Sequence, residues 1–133
     1  MKVLLVPWMC SAYGPFATLI FPGSADEFKR QDKPDTKSIL VTGRNRHKVV
    51  IALLSQYPAK VVEVDPYNTG RNTRTGVELE IPDEDAQRLL RAFKKLSLTR
   101  TRSIKQEDVE KLTANPKIEA LENYLAIKAL VED

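Results

Sequence analysis

The chain has 133 residues, 42% of them hydrophobic and 29% charged, with a formal net charge of +3 at pH 7. That length holds one compact domain or two very small ones, and the balance of apolar to charged residues excludes wholesale disorder. A single cysteine, Cys10, excludes an internal disulfide, and a single histidine, His47, excludes a zinc site built on several histidines or on cysteine pairs.

Residues 2–6 read as a short strand ended by Pro7; the opening run of residues 1–6 mimics the start of a signal peptide, but Pro7 and Trp8 interrupt it and no small-residue cleavage site follows. Ser11-Ala12-Tyr13-Gly14-Pro15 is turn chemistry, and residues 16–21 form a second apolar strand closed by Pro22-Gly23. Residues 24–37 are polar and charged and read as a loop, a candidate contact arm. Ser38–Thr42 has the composition of a buried strand. Val49, Val50, Leu53, Leu54 and Tyr57 follow at helical spacing, although the β-branched run Val49-Val50-Ile51 also suits a strand. Pro58 stops that segment, and residues 60–64 are the next strand. The order strand, helix, strand predicts a short crossover if both strands share a sheet. Residues 65–75 form a polar loop and residues 77–81 alternate apolar with acidic, so a hairpin with 60–64 is expected, its tip carrying Arg71 and Arg74.

The second half is helical. Residues 83–96 place Asp83, Glu84 and Asp85 at the start and Arg91, Lys94 and Lys95 near the finish, the polarity a helix dipole favours. Ala86, Leu89, Leu90, Phe93 and Leu96 make one apolar stripe. Ser103 with Gln106 has the form of a capping box opening a helix that includes Val109 and Leu112. Asn115-Pro116 offers an N-cap and a first-turn proline for a last helix reaching about residue 130, with Ile118, Leu121, Leu125 and Tyr124 facing inward. The expectation is an α+β fold: a small β-rich part with one crossover helix over 1–81, then a helix–extended loop–helix part over 82–133.

No apolar stretch approaches the length that crosses a bilayer, so a soluble, cytoplasmic protein with no membrane partner is expected. No glycine-rich phosphate loop is present, no cofactor is implied, and no nucleophile sits with a matching base; the expectation is a protein without enzymatic activity. Glu63, Asp65, Glu78 and Glu80 read as solvated strand acids more readily than as a catalytic carboxylate cluster.

What remains is cationic. Residues 36–62 hold no acid but include Arg44, Arg46 and Lys48, and a helix opening there would set free N–H groups beside them, an arrangement suited to a phosphate or carboxylate. Solvated loop arginines are the plainer reading. Between Arg88 and Lys105 stand seven basic residues and no acid, of which Arg100 and Arg102 exceed what a helix C-terminus explains. With Arg71 and Arg74 these residues are the candidate contacts to nucleic acid or to an acidic protein surface.

The segments 84–96 and 111–122 resemble a module of small accessory proteins of Mu-like tailed phages. There, a first helix leads through an extended loop with a Thr-rich, Pro-Lys-containing turn into a helix beginning near Glu-Ala-Leu-Glu. The matching residues are Thr113, Pro116, Lys117, Glu119, Ala120, Leu121 and Glu122, and residues 50–64 are similar to the helix–proline–strand unit of the same proteins. The family often has glycine where Asn115 stands here, and the connector differs. The resemblance spans about half the chain and implies a structural or assembly protein (decoration, head–tail joining or accessory) located in the virion or host cytoplasm. Its partners would be other virion or assembly proteins, and itself. The alternative from the residues alone is a basic nucleic-acid-binding or regulatory protein.

Overall fold

Alternating apolar positions in five segments build one antiparallel sheet, and the helical segments cover one of its faces. The computed structural model describes residues 1–10, 14–21, 38–64, 74–99 and 104–132. The strands are β1 (Lys2–Cys10), β2 (Gly14–Ile20), β3 (Ser38–Thr42), β4 (Ala59–Val64) and β5 (Arg74–Glu80); the helices are α1 (Arg44–Leu54), α2 (Asp83–Leu98), α3 (Gln106–Ala114) and α4 (Ile118–Glu132). The architecture is α+β, as the sequence pattern predicts. The arm expected over residues 24–37 and the Ser103 half of the expected capping box lie outside the described residues.

Sheet order is β3-β2-β1-β5-β4, every neighbouring pair antiparallel. β3 and β4 therefore share a sheet and a direction, but three strands separate them. The segment holding α1 is therefore a crossover, as the order of elements predicts, but it is not a short one: it joins opposite edges of the sheet. Each edge strand is claimed by an antiparallel partner, β2 for β3 and β5 for β4.

β1 also differs from expectation by running through Pro7. The β5 ladder on β1 covers only Lys2 to Leu5, while β2 pairs as far as Cys10. Pro7, paired with Ala17 on one side, has no ladder partner on the other, so its missing N–H costs no sheet bond.

Register sorts the faces. Ile39, Leu19, Leu5 and Val77 form one row across the sheet, with Val3, Leu79, Ala17 and Val41 on the same side. These side chains meet Val49, Val50, Leu53 and Leu54 of α1, Ala86, Leu89, Ala92, Phe93 and Leu96 of α2, Val109 and Leu112 of α3, and Ile118, Leu121 and Leu125 of α4. One core thus draws on both sides of residue 82. The predicted stripe on α2 is buried apart from Leu90, which is half-buried, and Ala92 joins it.

Helix starts depart from the predicted caps. α3 begins at Gln106, where the Lys105 N–H donates to the Asp108 carboxylate at 3.3 Å, so the reciprocal bond lies two residues beyond the expected box. Asn115 closes α3 and does not open α4; the Leu121 N–H reaches the Lys117 carbonyl at 3.2 Å, which places Pro116 before the helix.

Candidate functional site

The α1 N-terminus is where chemistry gathers. β3 ends at Thr42, and Gly43 turns the chain with φ 91° and ψ 138°, a left-sided conformation that a side chain would penalise. The first helical bond runs from the His47 N–H to the Gly43 carbonyl at 3.0 Å. The N–H groups of Arg44, Asn45 and Arg46 precede it and have no carbonyl one turn back within the helix. Among the described residues no side chain caps this end, and its first turn holds no acid.

Five consecutive residues then diverge. Arg44 and Lys48, one turn apart, are exposed on the outer flank. Arg46 stands three and four residues before Val49 and Val50, on the stripe that faces the core, and is only 7% exposed. Its Nη1 donates to the Thr42 carbonyl at 3.4 Å, while its buried Nε has no hydrogen-bond partner. Asn45 Nδ2 donates to the Ile104 carbonyl at 2.8 Å, tying this end of α1 to the start of α3. His47 is half-buried, and burial holds its imidazole below the usual pKa of 6.5. The expected cluster of Arg44, Arg46 and Lys48 is therefore one inward guanidinium with two outward cations, because α1 starts at Arg44 and 46 falls on the core side.

Arg74 lies in the first position of β5, opposite Val64, and not in the hairpin tip. It is exposed, and the strand directions bring it to the same end of the sheet as Thr42. Three strand widths, roughly 15 Å, separate β5 from β3. Arg71, Arg100 and Arg102 lie outside the described residues.

The basic flank of α2 has a partner inside the molecule. Arg88 Nε donates to Glu122 of α4 at 3.3 Å, and the second pair of atoms, Nη2 and Oε1, also meets. That bond, aided by Arg91 and Lys95, holds the Glu122 carboxyl below its usual range. At the far end of α1 the Tyr57 hydroxyl donates to the Asp85 carboxylate at 3.0 Å; burial, then that bond, push the phenol up to about 12.

The strand acids divide between two faces. Lys2 and Lys60 approach Glu78 at 3.5 and 3.9 Å beside a hollow of about 270 Å³, whereas Glu63 faces the other way and accepts from Thr75. Among the described residues no group of three or more His, Cys, Asp or Glu is placed to hold a metal, and no helix is long and apolar enough to cross a membrane.

Two apolar features were not singled out from the sequence. A groove of about 430 Å³ runs between α1 and α3, lined by Ile51, Ala52 and Val109 and flanked by His47, Lys48 and Glu110. On α4, Ala126, Ile127, Ala129 and Leu130 face outward, with Ile127 62% and Leu130 80% exposed. The signal for the second was legible: residues 124–131 contain one charge and no gap in their apolar periodicity. Compared with protein-family models, with curated proteins and with solved structures, the chain finds no match.

Proposed function

We propose that this chain is a structural or assembly protein that works by protein–protein binding, with a second copy of itself as its first partner. The observation that carries the reading is α4. It buries Ile118, Leu121 and Leu125 in the core, yet presents Ile127 and Leu130 on its outer side. A helix apolar on more than one face ordinarily has more than one neighbour.

The complementary faces of α4 and α2 favour a copy of the same chain. The outer stripe of α4 opens on exposed Glu119 and Asn123 and ends on Ile127 and Leu130. The outer stripe of α2 carries exposed Arg91, Lys94 and Lys95 followed by Leu98, itself 85% exposed. Read in the same direction, each stripe places its polar end first and a leucine last, with an acid on one and bases on the other. A contact of α4 on the neighbour's α2 uses different surfaces on the two copies, which generates rings or filaments and suits a particle component. The resemblance to small accessory proteins of Mu-like phages points the same way and makes other virion proteins the further partners.

Light scattering on a size-exclusion column tests this. A mass above the monomer that falls to monomer in Ile127→Glu/Leu130→Glu, with the monomer still folded by circular dichroism, is the expected result. A monomer at all concentrations removes the self-assembly reading. Salt-sensitive capture of a random DNA duplex by such a monomer would put nucleic-acid binding in its place.

A further inference from the structure

Arg46 is a permanent cation that the fold shields without neutralising. It is only 7% exposed, its Nε is enclosed with no acceptor, and its one bond is a long 3.4 Å contact to a neutral carbonyl. Among the described residues no carboxylate pairs with it. Buried guanidinium groups are ordinarily satisfied by an acid or by several carbonyls, because leaving such a charge uncompensated is strongly destabilising. Arginine cannot escape by losing its proton.

The position of that charge names what would complete it. The contact to Thr42, the residue before Gly43, sets the guanidinium at the positive end of an eleven-residue helix. Gly43 has no Cβ to block approach at φ 91°, among the described residues no side chain caps the N–H groups of Arg44, Asn45 and Arg46, and no first-turn acid repels an anion. Exposed Arg44 stands at the outer side. Backbone N–H donors and a planar guanidinium at the same helix end are the donor types that suit a tetrahedral oxyanion.

We propose that the N-terminus of α1, with Arg46 as its inner wall and Arg44 as its outer one, binds a phosphate group. The phosphate is either free inorganic phosphate or the terminal phosphoryl group of a nucleotide strand. Its recessed guanidinium suits a terminal group better than a phosphodiester flanked by two sugars. The site goes beyond the assembly reading and uses no residue of α4.

The test is an amide-shift titration of the full chain with inorganic phosphate against chloride at matched ionic strength, then with a short oligonucleotide carrying a 5′-phosphate or a 5′-hydroxyl. Saturable shifts of residues 43–47 and of the Arg46 Nε–H with phosphate alone support the site with the free ion sufficient. Shifts with the 5′-phosphorylated strand only support it with a phosphorylated end as the source. In either case Arg46→Met, which replaces the charge by an apolar chain reaching about as far as the Nε, weakens binding by about ten- to a hundredfold. Absence of shifts with every probe, or equal shifts with the 5′-hydroxyl strand, overturns the proposal. The unmodified protein decides this even if Arg46→Met does not fold.

Discussion

α2 and α4 are nearly equal in length, 16 and 15 residues, and pack against each other, yet their apolar residues are arranged differently. α2 buries Ala86, Leu89, Ala92, Phe93 and Leu96 on one side and sends Gln87, Arg91, Lys94 and Lys95 to water. α4 buries three large side chains and leaves two more outside. The first pattern is complete within one chain, since every large apolar residue before Leu98 has neighbours. The second leaves apolar surface uncovered among the described residues, and that surface is what the assembly proposal rests on.

The sharpest way to break that contrast is to truncate one residue of each kind. Phe93 is fully buried, and Phe93→Ala removes its contacts and leaves a cavity, a loss of about 3–5 kcal/mol that would unfold much of a marginally stable domain. Leu130→Ala, at an 80% exposed position, should change monomer stability by less than about 0.5 kcal/mol. Urea denaturation at a concentration where the protein is monomeric checks both. A large loss at Leu130 would mean that α4 is finished within the chain after all.

The same contrast separates what was legible in the residues from what was not. α2 could be read from residue 83 because three acids open it and a single stripe follows, and β3 because Ser38–Thr42 is a short apolar run between polar stretches. Local pattern could not supply the sheet order, since the pairing of β1 with β5 joins segments more than seventy residues apart. Nor could it show that Pro7 sits where β1 has only one neighbour. At the candidate site the inward turn of Arg46 was present in its spacing to Val49 and Val50, once α1 is known to begin at Arg44. Its lack of an acid partner among the described residues depends on tertiary placement and left no trace in the pattern.

A middle-sized effect tests whether the α1 N-terminus is held or merely adjacent. Asn45 donates to the Ile104 carbonyl from 59 residues away. Asn45→Ala leaves that carbonyl without its donor, and a loss of about 1–2 kcal/mol is expected in the urea midpoint. Faster hydrogen exchange should appear at the starts of α1 and α3 and not in α2. A uniform increase over all helices would show instead that the bond stabilises the whole domain rather than this junction.

The smallest expected effect lies in the pairing of α2 with α4 itself. Because Arg88 lowers the folded pKa of Glu122 below 4.5, the pair's contribution is present above the unfolded value and is lost as pH falls through the folded one. His47 acts in the same direction at higher pH. Burial lowers its folded pKa, so stability declines as pH falls below 6.5 and the unfolded chain takes up the proton first. Tyr57 works at the other limb: raised to about 12 from 10, it favours the fold below 10 and stops doing so as pH rises toward 12. Glu122→Gln should therefore flatten only the part of the acid limb below pH 4.5, leaving the decline that starts near 6.5 to His47. Both partners are more than a third exposed, so the effect is screened, and added salt should shrink it further. An acid limb that is unchanged by Glu122→Gln at low salt would show that the bond between the two helices contributes nothing to their pairing, leaving the buried contacts of Leu89, Phe93 and Leu121 to hold α4 in place.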